Sequence, residues 1–519
     1  MAIAAIDFGG GGVKIMVENP LHEMVPALDD RGQPVIPTAV FRSQESGEFL
    51  VGVEALQQGF VDSENLAFDF KRHLGVDDKL YFGKTASAED VYVILLKQCV
   101  GFAERTAGEK ITFWVATIPA NSPDSAKRHL RKACERAGIT LFPDSEVGTG
   151  MPSEPTAAAV AYGLSKNLAD EKVLILIVDI GSTTTDCSLV EFCGREAQVL
   201  ATEGIANLGG MDITRALQDL VLKKLKLPPA KSFDKWDGEA RFEFFTRCDE
   251  GKLLLNSKRD VRIVAPVPGK PEKVQIFQNE FAATAYQPIL QKVAAAMDKT
   301  INGVRGRKVS YNDIQYLVPV GGPCKAESIR LFLSEHTGIA CKEHPDPGMA
   351  VVEGAARIAE ALAAAKFGRR GKRVGFTRVR ECIPHNIAII AADIVNGAVV
   401  EWADVLIPKN LPAPDKKKTD YSTLYDHQTS IHFRFVQAPK DGAKPEECFV
   451  LGRITWHNLP LERVRTPRFE IIATFDSAAV VTIDVRDRVS GRSERVTLST
   501  SAELKQNDTT GFGGESDAA

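Results

Sequence analysis

The sequence predicts a duplicated α/β unit over residues 1–365, followed by an antiparallel β-sandwich over residues 379–498. Three observations predict it. Short β-branched runs alternate with long helical patterns through the first part, as layered α/β architecture requires. Within that part, residues 4–13 and 177–186 echo each other as strand, aspartate, small-residue turn and strand. Beyond residue 378, apolar residues recur at every second position, the pattern of strands with one buried face.

The elements can be taken in order. Ser87 with Asp90 forms a capping box ahead of a helical pattern over residues 91–103. Ser122 and Pro123 supply an N-cap and a first-turn proline, and Gly138 stands where a left-handed cap would end that helix. Pro155 opens a helix of small residues closing near Gly163, between strands at residues 111–116 and 173–178. An apolar strand at residues 316–320 runs into Gly321-Gly322-Pro323. Gly368-Arg369-Arg370-Gly371-Lys372 is basic and without an apolar anchor, which predicts a basic linker over residues 366–378. In the second part, residues 431–435 and 469–475 alternate, as do Val481, Ile483 and Val485, and Ser490-Gly491 supplies a turn. The polar, glycine-rich tail over residues 499–519 is expected to be disordered.

Composition excludes several classes. A chain of 519 residues with 44% hydrophobic content can bury several cores and is too long for one. Lys plus Arg total 64 against 68 for Asp plus Glu, so nothing in the charge favours nucleic-acid or membrane partners. Nine Cys lie scattered without a Cys-x-x-Cys pair, which argues for free thiols in a reducing compartment. The longest apolar run, residues 173–178, is too short to span a bilayer, and no basic leader precedes the first strand. A monomeric cytoplasmic protein is expected.

A small-residue turn leaves successive backbone N–H groups uncovered, and these form a concavity for phosphate oxygens. Asp7 and Asp179, at the strand ends, can each hold a hydrated Mg²⁺. One such turn is weak evidence, since glycine-rich hairpins are common. Two in an α/β context point to one nucleotide clasped between two halves.

The series Asp7-Phe8-Gly9, Lys71-Arg72-His73-Leu74-Gly75, Ile118-Pro119-Ala120 and Glu154-Pro155-Thr156-Ala157-Ala158-Ala159-Val160-Ala161-Tyr162-Gly163 resembles the DnaK-type heat-shock chaperones. It continues through residues 179–186, Leu208-Gly209-Gly210-Met211-Asp212, Gly321-Gly322 and Pro345-Asp346. The resemblance implies an actin-like ATPase fold that binds ATP or ADP with Mg²⁺. By position, Asp7, Asp179 and Asp186 would be the metal-side carboxylates, acting mostly through water, and Asp179 would orient the attacking water. Lys71 would reach the β- and γ-phosphates, with Glu154 in the same cleft, and Thr183 and Thr184 would donate to the γ-phosphate. Lys71, Glu154, Asp179 and Thr184 form the implied catalytic set. Further nucleotide contacts would come from Gly9, Gly10, Gly11, Gly181, Ser182, Gly209, Gly210, Asp249, Lys252, Gly321, Gly322 and Asp346.

Departures weaken the match locally. Gly10 and Gly11 stand where the family carries threonines, so if the protein is a slowed ATPase, restoring a hydroxyl with Gly10→Thr is expected to raise turnover. Leu253 replaces the guanidinium that stacks on adenine, and Pro323 and Lys325 replace a serine and an arginine, which implies lower affinity.

Residues 406–414, 421–428 and 467–476 are similar to the family's peptide-binding sandwich. Its pocket walls would be Ile389, Ala391, Ala392, Tyr421, Leu424, Ile431 and Phe433, with Ala392 and Leu424 arching over an extended peptide. The implied partners are unfolded or extended peptides, a J-domain protein and a nucleotide exchange factor. No helical lid follows before Ala519, and a basic stretch replaces the family's apolar-acidic linker, so fast peptide release and weak coupling are expected. Two readings remain open. One is an ATP-hydrolysing peptide chaperone; the other is a nucleotide-binding adaptor that hydrolyses weakly or not at all.

Overall fold

A computed structural model describes residues 1–75, 79–165, 172–193, 196–342, 344–368, 378–464, 467–476 and 480–497. The tail and most of the linker expected from the sequence lie outside the described residues. The chain divides into two compact units, one of Met1–Leu74, Lys79–Asn121 and Leu130–Val379. The other holds Gly75, Ser122–His129 and the described residues from Arg380 on. No boundary signal in the sequence marks the two short early segments assigned to it.

The first unit is built twice from one motif. In each half a central strand has a parallel neighbour on one side and an antiparallel meander on the other. In the first half, Ala2–Phe8 lies between Ile111–Ala116 and Gly12–Glu18, which continues to Met24–Pro26. In the second, Lys172–Ile180 lies between Tyr316–Val320 and Thr185–Cys193, which continues to Glu196–Ile205. The central strands are buried along nearly their whole length, which is why they read as continuous apolar runs rather than alternating ones. Each half has its own hydrophobic core.

Helix Ala88–Ala107 starts from the Ser87 capping box and ends at Gly108, whose φ of 72° is left-handed. It outruns the predicted span at both ends because capping, rather than the apolar stripe, sets its limits. Helices Glu154–Ser165 and Ala350–Phe367 pack closely. A β-carbon on Gly354 would fall 1.7 Å from the Ala157 carbonyl oxygen, so only glycine lets these backbones touch. Among the described residues no helix is long and apolar enough to cross a membrane.

The second unit is a sandwich of two antiparallel four-stranded sheets. One runs Ala398–Ile407, Asn386–Val395, Ile431–Ala438, Phe449–Trp456; the other Asp415–Tyr421, Phe469–Phe475, Val481–Asp487, Ser493–Thr497. The alternation read in the sequence is the burial pattern observed: Phe469, Ile471, Ala473 and Phe475 face inward and Val481, Ile483 and Val485 meet them. Phe433 packs edge-on against Trp456 and Phe469, with ring centroids 5.7 and 5.2 Å away.

Candidate functional site

Both central strands of the first unit carry an aspartate as their penultimate residue at one cavity of about 370 Å³, within the range of small-molecule sites. Asp7 and Asp179 are buried there, as is Glu154 at the start of its helix. Gathering carboxylates away from water disfavours their charge. Burial, followed by the neighbouring Glu154, Asp186 and Asp7, holds Asp179 well above the usual carboxylate range. Burial also pushes Glu154 up to about 7, against the pull of Lys71, whose Nζ lies 2.7 Å from Oε1. Lys71 sits on the short helix Phe70–His73, anchored by the buried Phe70, whose ring meets Tyr92 edge-on at 4.9 Å.

The second turn is pinned by hydrogen bonds. The Gly181 N–H donates to the Thr184 carbonyl, and those of Gly210 and Met211 donate to the Gly181 and Ser182 carbonyls, each at 2.9 Å. The N-terminus of helix Gly210–Leu225 therefore holds the turn open toward the cavity. The first turn is tied by Thr38, whose hydroxyl donates to the Gly9 carbonyl at 2.7 Å.

Of the nucleotide, catalytic and metal residues expected from the sequence, all but Asp186, Gly209 and Asp346 line this cavity. Asp186 stands across the hairpin from Asp179 and accepts from the backbone and side-chain amides of Asn121 at 3.3 and 3.2 Å. The Gly209 N–H donates to the Asp212 carboxylate at 2.8 Å, so this glycine caps a helix instead of meeting the cavity. Asp346 accepts from the Gly348 N–H at 2.9 Å and pairs with Lys325 at 3.0 Å; Gly348 and Lys325 line the wall in its place. Lys252 is bound to Asp249 at 2.5 Å and to the Thr214 hydroxyl at 2.8 Å.

The two turns also touch, which changes the expectation for Gly10. A β-carbon there would lie 2.4 Å from Thr183 Cγ2, and one on Gly11 would lie 2.9 Å from Ser182 Oγ. Thr183 is buried, and its β-carbon too would lie only 3.0 Å from the added atom. Gly10→Thr is therefore expected to overpack the cleft and lower stability by about 1–3 kcal/mol, rather than raise turnover. A thermal melt of the full chain checks this, and an unchanged midpoint would show that the turns part freely.

Sequence reading missed Lys14, which lines the cavity with its Nζ 2.7 Å from Asp7 Oδ2. Burial opposes its charge, but Asp7, Asp179 and Glu154 together outweigh burial and raise the ammonium above its usual range. A signal was available: aligning the two echoing segments sets Lys14 opposite Asp186. Ile213, Asn256 and Tyr286 also line the wall, and the Tyr286 hydroxyl lies 3.2 Å from Asn256 Oδ1. No local motif marks these three.

In the sandwich the expected pocket residues separate by burial. Ile389 and Phe433 are each only 3% exposed and pack in the core of the sandwich. Tyr421 and Ile431 pack against that core, and the Tyr421 hydroxyl is 2.6 Å from Asp404 Oδ2. Ala391 and Leu424 are partly exposed and Ala392 is exposed. The accessible apolar side chains of the same hairpin are Ile394, Val395, Val399 and Val400.

Paired α/β halves closing on one cavity, followed by a β-sandwich, define a protein of the actin-like ATPase fold. The family model for Hsp70 protein matches residues 78–515, and the chain belongs to the Hsp70 family. Chaperone protein DnaK of Thermosipho melanesiensis is 27% identical over 509 residues, 98% of this chain and 81% of that protein. Chaperone protein DnaK of Methanothermobacter thermautotrophicus is 24% identical over 498 residues, covering 92% and 78% of the two chains. That of Thermotoga maritima is 26% identical over 493 residues, covering 94% and 78%.

Proposed function

We propose that the first unit binds ATP or ADP between its halves and hydrolyses ATP, and that the chain acts as a chaperone on extended apolar peptide segments through its sandwich. The observation that carries this reading is the convergence of both glycine-rich turns, the Lys71–Glu154 pair and Asp179 on one cavity. Phosphoryl transfer needs charge placed where the transition state develops it, and little covalent help. The turns would offer backbone N–H groups to the phosphates, and Thr183 and Thr184 their hydroxyls. Lys71 would carry an ammonium to the β- and γ-phosphates, leaving Glu154 to orient it. Asp179, with no ion-pair partner among the described residues, would accept the proton of the attacking water. Ile213, Leu253, Pro323 and Val351 give the cavity an apolar side suited to a purine.

Buried carboxylates suit a hydrated cation: Asp7 and Asp179 on the cavity wall, with Asp186 behind them, would hold Mg²⁺ through water, which when bound draws charge from phosphate oxygens. J-domain and exchange-factor partners belong to the same reading, as does a cytoplasmic location. The second reading, an adaptor that hydrolyses weakly or not at all, is favoured by Gly10 and Gly11, which offer no hydroxyl, and by Leu253, which is 58% exposed on the cavity wall.

A thermal melt tests binding, since a ligand selective for the folded state raises its midpoint by mass action. Mg-ATP should raise the midpoint of the first unit. Asp179→Asn removes a carboxylate crowded by like charges, so it should raise the nucleotide-free midpoint by about a few degrees and shrink the Mg-ATP increment. No increment in the parent at millimolar Mg-ATP would refute nucleotide binding. Single-turnover hydrolysis, with and without an unfolded peptide, separates the chaperone from the adaptor.

A further inference from the structure

The duplicated sheets set two cross-strand pairs in the same register, and all of their members but Asp186 line the cavity. Asp179 faces Asp186 across one hairpin, and Asp7 faces Lys14 across the other. The internal symmetry therefore relates a lysine to an aspartate. The side chain of Lys14 is 17% exposed, and what it brings to the floor is an ammonium 2.7 Å from Asp7 Oδ2. The other oxygen of Asp7 accepts from the Thr117 hydroxyl at 3.0 Å, so protein groups meet both of its oxygens. Asp179 and Glu154 lie close enough to act on Lys14 as well. An ion pair that served only to join strands would not need to form part of the cavity wall, yet Lys14 does.

We propose that Lys14 is a tethered cation that takes over part of a divalent metal's work at the phosphate end of the cleft, so that a nucleoside diphosphate binds there with little dependence on Mg²⁺. This deepens the nucleotide reading and rests on it. In a cleft where Asp7 and Asp179 both faced the β-phosphate bare, a metal would have to screen two carboxylates before phosphate could approach. Lys14 already neutralises one of them. With Lys71 on the other side, the phosphates meet two ammonium groups that no chelator can remove.

Calorimetric titration of the full chain with ADP, first in Mg²⁺ and then in excess EDTA, tests this. The Kd in EDTA should exceed that in Mg²⁺ by less than about tenfold in the parent and by more than about a hundredfold in Lys14→Met. Lys14→Arg, which keeps the charge, should keep the parent's ratio. A purely structural ion pair would lower the melting temperature of Lys14→Met and leave the ratio unmoved, which overturns the proposal. So does a parent ratio of a hundredfold or more, a result that needs no variant to fold. Tight ADP binding in Mg²⁺ that EDTA abolishes sinks this inference alone; no ADP binding in Mg²⁺ sinks the nucleotide reading and takes the inference with it.

Discussion

Replacing Lys71 with alanine is expected to slow single-turnover ATP hydrolysis by about a hundredfold or more while changing ADP affinity only severalfold. Charge that a group supplies chiefly to the transition state appears in the chemical step and only weakly in ground-state binding. The position of Lys71 fits that role: its Nζ is held 2.7 Å from Glu154 in a cavity whose floor carries several acids. Glu154 already sits up near 7, so losing the ammonium leaves a carboxyl that can take a proton instead of an uncompensated buried charge. The variant should therefore fold, and its slow chemistry should be readable. Glu154→Gln should cost less than Lys71→Ala, because the amide still holds the ammonium in place. Rates equal in parent and Lys71→Ala would mean that the cavity does not use this lysine.

How much of this was legible depends on the range of the determining contacts. The Ser87 capping box, the continuous apolar run of residues 173–178 and the alternation of Phe469–Phe475 are local, and the structure keeps all three. The two aspartate-turn segments could be seen as a repeat because the duplication preserves their spacing. Their consequences could not be seen. That Gly10 meets Thr183 depends on how the halves close, and the direction of the Gly10→Thr effect reverses on that contact. Lys14 reads singly as an ordinary strand lysine, and only the register opposite Asp7 turns it into a cavity cation. Alternation marks Ile389 and Phe433 as facing one side of a sheet, but it cannot say whether that side is a groove or the core between two sheets. Gly209 shows a further limit: its glycine-rich neighbourhood looks like a phosphate turn, whereas its N–H serves a helix start.

Arg468→Met is expected to destabilise the sandwich by about 3–5 kcal/mol, the cost of leaving a buried charge without its partner. The Arg468 and Asp487 side chains are 2% and 0% exposed. They form a two-pronged pair, Nε to Oδ1 at 2.8 Å and Nη2 to Oδ2 at 2.9 Å. Arg468 also donates from Nη1 to the Pro460 carbonyl at 2.8 Å, while Asp487 accepts from the Val489 N–H at 3.0 Å and the Ser490 hydroxyl at 2.6 Å. The pair thus fixes the entry to one core strand and the exit from its neighbour. Burial alone would raise the Asp487 carboxyl, but the hydrogen bonds from Arg468, Ser490 and Val489 outweigh it and bring it down to about 2. In an unfolded chain the same group titrates near about 3.9. A depressed folded value stabilises above the unfolded one, so this contribution is present at neutral pH and is lost as pH falls toward 2. Hydrogen exchange on the full chain reads the effect locally. Amides of Phe469–Phe475 and Val481–Asp487 should exchange about a hundredfold faster or more in Arg468→Met at pH 7. Between pH 4 and pH 2 the gap between the variant and the parent should narrow, because protonating Asp487 removes the orphaned charge from one and the ion pair from the other. Removing both groups, as in Arg468→Met with Asp487→Leu, should recover part of the loss. Unchanged protection in Arg468→Met at pH 7 would mean that Ser490 and the turn amide satisfy Asp487 without the guanidinium.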